Sequence, residues 1–188
     1  MNDEFETNKN FLVVGCGGLG CFIIEDLLRL NVKKIIVCDP DIFSESNLNR
    51  QLYSSPENIG EKKVFVAEAR AKELNFAGVF IAYDKAFDAS MLDGVDVVID
   101  ALDNIKTRLE VEDLCAKKNI PFVHGAVEGS LYQVGVSMPG SNLLHNIYMN
   151  AQDPKVKHTN VLTVQTCAAA EVSLALREPR EFFEVNEI

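Results

Sequence analysis

A short apolar run, Phe11 to Val14, leads directly into Gly15-Cys16-Gly17-Gly18-Leu19-Gly20. Apolar residues then recur at Leu19, Phe22, Ile23, Leu27 and Leu30, the spacing of one helix face. Few folds admit this order. The apolar run reads as a buried parallel strand, the G-x-G-x-x-G segment as a tight turn, and the stripe as a helix opening on that turn. Such a turn lets backbone approach a phosphate closely, and the helix start adds free N–H donors and a positive dipole end. Asp39 ends the next apolar strand, nineteen residues after Gly20, where a carboxylate can accept hydrogen bonds from ribose hydroxyls. The bland alternative is a glycine turn that only brings helix and strand together. The turn itself does not choose among NAD, FAD, S-adenosylmethionine and ATP.

The rest of the chain repeats the alternation. Strands are predicted at Lys34 to Cys38, Val79 to Tyr83, Val95 to Asp100 and Pro121 to His124. Helices are predicted over Gly60 to Leu74 and Asn104 to Asn119, the second with Ile105, Leu109, Glu112 and Ala116 on overlapping faces. Asp39 to Pro56 reads as a polar loop with a single helical turn. After Gly125 the pattern changes: Leu131 to Met138 alternates like an antiparallel strand, with Leu143 to Met149 as its expected hairpin partner. Asn150 to Thr163 reads as an exposed loop and Thr166 to Arg177 as an alanine-rich helix. The expected fold is α/β: a Rossmann-like, doubly wound, mostly parallel sheet with a C-terminal antiparallel portion, one domain over residues 1–188.

Composition excludes several classes. Eighteen basic against twenty-eight acidic residues give −10, which disfavours a nucleic-acid partner but not a local basic pocket. No apolar run reaches the ~18 residues of a membrane span, and the polar start carries no signal-peptide pattern. The five cysteines, Cys16, Cys21, Cys38, Cys115 and Cys167, are odd in number and form no C-x-x-C pair. Reduced thiols in a cytoplasmic protein are expected, and no zinc site.

The polar segment Asp39 to Gln51 carries the distinguishing chemistry. Arg50 offers a planar cationic fork suited to phosphate oxygens, with Asn47 and Gln51 beside it. Lys63 follows thirteen residues later, near the next helix start. Two cations beside a glycine turn suit a triphosphate better than a nicotinamide.

The blocks Gly15 to Gly20, Asp39-x-Asp41, Ser46-Asn47-Leu48-Asn49-Arg50-Gln51, Lys63 and Asp100-Ala101-Leu102-Asp103-Asn104 stand in the order and spacing of the ThiF–MoeB–HesA family, which the chain resembles over roughly residues 10 to 127. The family is similar to the adenylation domain of ubiquitin-activating enzymes. The resemblance implies an ATP- and Mg²⁺-dependent adenylyltransferase that activates the C-terminal glycine of a ubiquitin-like sulfur carrier. It implies Arg50, Lys63 and Asp103 as catalytic residues, with Asp103 also holding Mg²⁺. The implied nucleotide site comprises Gly15, Gly17, Gly18, Gly20, Asp39, Asp41, Asn47, Arg50, Gln51, Lys63, Leu102, Asp103 and Asn104. Read without the resemblance, Asp103 is an N-cap for the following helix.

The chain departs from the family pattern in three ways. It has no paired C-x-x-C motifs, no arginine among the ten residues before the first strand, and no cysteine in Asn150 to Thr163. Cys167 is the remaining thiol candidate if it sits near a helix start, against a core role beside Ala168, Ala169 and Ala170. His124 is expected as a buried, satisfied histidine. The chain resembles the short second type of ThiF, which implies a ThiS-like carrier, thiamine biosynthesis and a homodimer. Adenylation of another carboxylate, a non-catalytic nucleotide-binding scaffold and an NAD-dependent oxidoreductase are the competing readings.

Overall fold

A computed structural model describes residues 5–153 and 159–188. Chain order is β1 (Asn10–Val14), α1 (Gly18–Arg29), β2 (Lys34–Cys38), α2 (Lys63–Glu73), β3 (Val79–Tyr83), β4 (Val97–Asp100), α3 (Ile105–Lys118), β5 (Phe122–Glu128), β6 (Leu131–Ser137), α4 (Leu143–Ile147), α5 (Val161–Ala175) and β7 (Phe182–Glu187). The strands form one sheet in the order β3-β2-β1-β4-β5-β6-β7. β3, β2, β1, β4 and β5 run parallel, and β6 and β7 are added antiparallel. This is the doubly wound, mostly parallel sheet with an antiparallel end that the alternation of strands and helices predicts.

Consecutive strand residues point to opposite faces, and the core divides accordingly. Phe11, Val13, Ile35, Val37, Val97 and Ile99 pack with α1, α2 and α5 on one face. Leu12, Val14, Ile36, Cys38 and Val98 pack with Val111 and Cys115 of α3 and Leu144 of α4 on the other. Strand order reverses between β1 and β4, where Val14 lies in register with Asp100. Open α/β sheets bind ligands at the carboxyl ends of strands around such a reversal. Gly15 and the Asp100 loop are the two segments that leave those ends.

Several local expectations are corrected. Leu143 to Met149 is not a hairpin strand: β6 pairs with β5 and β7, and Leu143–Ile147 is a short helix. Its cause is remote in sequence. Glu112 Oε1 accepts from Leu144 N at 2.9 Å and Oε2 from His145 N at 3.3 Å, satisfying the orphan donors of that helix start. The last helix begins at Val161, capped by Asn160, whose Oδ1 accepts from Thr163 N at 3.0 Å. The expected loop 150–163 is therefore shortened at its end, and its residues 154–158 lie outside the described residues. Finally, α3 buries Arg108, Val111, Glu112 and Cys115, in place of the face centred on Ile105 and Leu109. The edge strand β7 had no counterpart in the sequence reading. The polar loop after β2 holds two short 3₁₀ turns, Glu45–Asn47 and Pro56–Asn58, where one turn was expected.

Among the described residues, no helix is long and apolar enough to cross a membrane. All five cysteines are buried free thiols.

Candidate active site

The site is built on the glycine turn. Gly15 has φ +106°, and a Cβ there would lie 2.6 Å from the Ala101 carbonyl oxygen. Gly20 is in α1, where a Cβ would stand 2.2 Å from the Gly15 carbonyl oxygen. These two glycines are required by packing of turn, helix and β4 loop. Gly17 differs: its nearest neighbour to an added Cβ is Gln51 Nε2 at 3.7 Å, ordinary contact. Among the described residues no atom crowds a Cβ at Gly17, yet the position faces a cavity of about 690 Å³. That volume suits a nucleotide-sized ligand. Gly17 and Gly18 line it, as do Asp39, Asp41, Arg50, Gln51 and Lys63. Leu102, Asp103 and Asn104 form part of another wall.

Each polar residue is held by a specific neighbour. Asp39 Oδ2 accepts from Cys16 N at 2.7 Å, and Oδ1 accepts from Asp41 N at 2.8 Å. The carboxylate thus ties the glycine turn to the end of β2 while each oxygen keeps capacity for a second donor. Lys63 opens α2 and is nearly buried. Its Nζ donates to Asp41 Oδ2 at 3.0 Å, so Asp41 acts first as the partner of that cation. Arg50 Nη1 donates to Ser46 O at 2.7 Å and to Asn49 Oδ1 at 2.9 Å, which folds the side chain along its own loop. Gln51 is buried, and among the described residues its Oε1 has no hydrogen-bond partner. An orphan acceptor in a cavity wall matches a ligand donor or an ordered water.

Three candidates fall elsewhere. Gly20 does not line the cavity and serves the packing of α1 against the turn. Asn47 is buried but does not line the cavity; its Oδ1 accepts from Ser44 N at 2.9 Å and caps a 3₁₀ turn. Cys167 lies two turns inside α5, not near its start, so the helix dipole gives its thiol no help. Burial and the neighbouring Glu171 push that thiol well up. Its Sγ faces Ala126 O at 3.9 Å and Gln133 O at 3.6 Å, which makes it a core thiol. The cap of α3 is Asn104, whose Oδ1 accepts from Thr107 N at 2.9 Å, so Asp103 is not needed for that task.

A polar layer joins the cavity wall, where Arg108, Gln133 and Tyr148 line it, to the buried Asp100 and His124; of these the sequence singles out Asp100 and His124. His124 is fully buried, as expected, with Nδ1 2.7 Å from Asp100 Oδ2. A carboxylate only accepts, so Nδ1 carries the proton and Nε2 is an acceptor. Tyr148 OH and Gln133 Nε2 each approach Nε2 at 3.0 Å. Burial holds His124 below the usual imidazole range. Arg108 stands over this layer, with Nη1 3.1 Å from Tyr148 OH. One signal for Arg108 was available: with Val111, Glu112 and Cys115 it forms a helical stripe.

Glu171 of α5 is also wholly buried, pressed on β5 so that a Cβ on Gly125 would stand 2.2 Å from its Cδ. Burial, then the Asp100 charge, push its carboxyl well above the carboxylate range. The folded chain therefore keeps a proton that the unfolded chain releases above about pH 4.5. The contribution of Glu171 to stability therefore falls as pH rises above the unfolded value, by about tenfold in the folding equilibrium per pH unit while the folded carboxyl stays protonated. Glu171→Gln removes this titration. Urea melts are expected to show the variant gaining on the parent as pH rises above about 4.5; parallel stability curves would refute the assignment.

Fold and site together define a doubly wound α/β protein with a glycine-turn cavity at its switch point. The chain belongs to the ThiF family, whose model matches residues 6–176. It is 33% identical over 169 residues to the SAMP-activating enzyme E1 of Haloferax volcanii, a match covering 88% of this chain and 60% of the relative. It is 38% identical over 116 residues to the mouse adenylyltransferase and sulfurtransferase MOCS3, covering 60% of this chain and 25% of that protein. The chain thus spans 60% or less of the length of these curated relatives. The E. coli protein MccB, solved with AMPCPP and MccA, shares the fold at a TM-score of 0.77 and 18% identity, covering 96% of this chain and 64% of that one.

Proposed function

We propose that this chain is a cytoplasmic adenylyltransferase that uses ATP and Mg²⁺ to activate the C-terminal glycine carboxylate of a ubiquitin-like sulfur carrier. The observation that carries this reading is the convergence of the glycine turn, Asp39, Arg50, Lys63 and Asp103 on one cavity at the sheet's switch point. In the proposed reaction a carrier carboxylate oxygen bonds to the α-phosphorus of ATP. The bond to the α–β bridging oxygen breaks, and pyrophosphate leaves with that electron pair. The attacking carboxylate is already ionised near neutral pH, so no general base is required.

The residues present fit both groups. Gly17 leaves room for a phosphate, Gln51 Oε1 lacks a partner among the described residues, and Asp39 can accept from a ribose. Among the described residues no cluster of three or more His, Cys, Asp or Glu could hold a metal alone. That suits Mg²⁺, which is commonly held by one or two carboxylates plus phosphate oxygens; here Asp103 would supply the carboxylate. When bound, the ion would offset charge on the phosphate oxygens. Arg50 and Lys63 would add fixed positive charge beside them, and Asp41 would keep the Lys63 ammonium in place.

The carrier we propose is ThiS-like, acting in thiamine biosynthesis, with the enzyme as a homodimer. Support for these finer points is the resemblance to the short second type of ThiF. The test is ATP–pyrophosphate exchange with Mg²⁺ and a panel of purified carriers, with light scattering for the dimer. Exchange that depends on a ThiS-like carrier is the expected result. Exchange with another carboxylate only would move the substrate assignment. ATP binding without exchange for any substrate would leave a nucleotide-binding scaffold.

A further inference from the structure

Arg108 is a third cation at the cavity, and its arrangement differs from that of Arg50 and Lys63. It closes the first turn of α3, and only 6% of its surface is exposed. Nη2 donates to the Leu102 carbonyl, and Nη1 to Tyr148 OH at 3.1 Å. Nε lies 3.1 Å from Asp100 Oδ2, an ion pair without hydrogen-bond alignment. All three guanidinium nitrogens thus face protein oxygens.

The loop that Arg108 grips is the one bearing Asp103. Leu102 N donates to Asp100 Oδ1 at 2.9 Å, and Leu102 O accepts from Arg108. Asn104 next caps α3 through Thr107 N. Both polar groups of the Leu102 peptide backbone are therefore committed, one residue before Asp103. Tyr148 and Gln133 continue the brace to His124 on β5, since Tyr148 OH accepts from both Arg108 and Gln133 and donates to His124 Nε2.

The geometry points to Arg108 as a positioning residue that fixes the Asp100–Asp103 loop, and through it the carboxylate offered to Mg²⁺, without itself binding phosphate. This rests on the proposed ATP and Mg²⁺ site, and deepens it. A lysine at the position keeps the charge but not the fork that spans Leu102 O, Tyr148 and Asp100.

The test uses Arg108→Lys, and Tyr148→Phe, which removes one anchor of the same brace. ATP affinity is measured by calorimetry in EDTA and again across a Mg²⁺ titration, beside pyrophosphate exchange. For Arg108→Lys, affinity in EDTA should stay within about twofold, while the Mg²⁺ concentration for half-maximal effect rises by about tenfold. Tyr148→Phe should move the Mg²⁺ requirement the same way by a smaller factor. A loss of ATP affinity in EDTA with an unchanged Mg²⁺ requirement would make Arg108 a phosphate ligand and overturn the proposal. An unchanged Mg²⁺ requirement in both variants would overturn it too. If Arg108→Lys does not fold, Tyr148→Phe alone decides, by whether its Mg²⁺ requirement moves. Failure of the adenylation reading itself shows separately, as absent exchange in the parent protein, and leaves the binding arms readable.

Discussion

Asp103→Asn is expected to lower carrier-dependent ATP–pyrophosphate exchange by at least about 100-fold, the scale on which a single group opposing transition-state charge acts. The substitution keeps the shape of the side chain and removes its charge. An amide oxygen is a much weaker partner for a hard divalent ion than a carboxylate. Folding should change little, because the cap of α3 is Asn104 and the Leu102 peptide is held by Asp100 and Arg108. The two measurements must therefore separate: exchange collapses while the thermal midpoint stays near that of the parent. Retained exchange would remove Asp103 from the mechanism. Loss of exchange together with stability would make it a structural residue.

The second large effect distinguishes two glycines of one motif. Gly20→Ala is expected to destabilise the chain by about 3 kcal/mol, at the upper end for overpacking, because the clash at 2.2 Å is with backbone that cannot rotate away. Helix propensity alone would favour alanine in α1 by about 1 kcal/mol, so the sign of the result tests which effect wins. Gly17→Ala should leave stability within about 0.5 kcal/mol, since its Cβ meets only Gln51 Nε2 at 3.7 Å. Yet it should weaken ATP binding by about tenfold or more, by occupying space that backbone must yield to a phosphate. Denaturant melts and calorimetry on both variants check this. If Gly17→Ala binds ATP as the parent does, the turn serves packing alone.

The sheet was legible in the sequence because its parallel strands are short apolar runs, the central ones buried on both faces, as in Leu12 to Val14 and Val97 to Ile99. The glycine turn, Asp39, Arg50 and Lys63 were legible because motif and spacing are local. What escaped depends on distant partners. Leu143 to Ile147 has strand-like composition, but Glu112 of another helix supplies the carboxylate that starts a helix there. Arg108 goes unmarked by any motif, since its burial depends on Leu102 O, Asp100 and Tyr148, which the fold brings to it. For Cys167 the sequence leaves a helix-start thiol open beside a core role, and the cap at Asn160, further upstream, places it inside the helix as a core residue.

The contact between Gly125 and Glu171 has a consequence for variation within this fold. The buried carboxyl occupies the space that any side chain at 125 would need, with 2.2 Å between the added Cβ and Cδ. Neither position can drift alone: a larger residue at 125 demands a shorter one at 171, and shortening 171 first opens a void that residue 125 is placed to fill. The two sites are thus a coupled pair, and Gly125→Ala and Glu171→Ala should each cost more alone than the double change costs beyond either one.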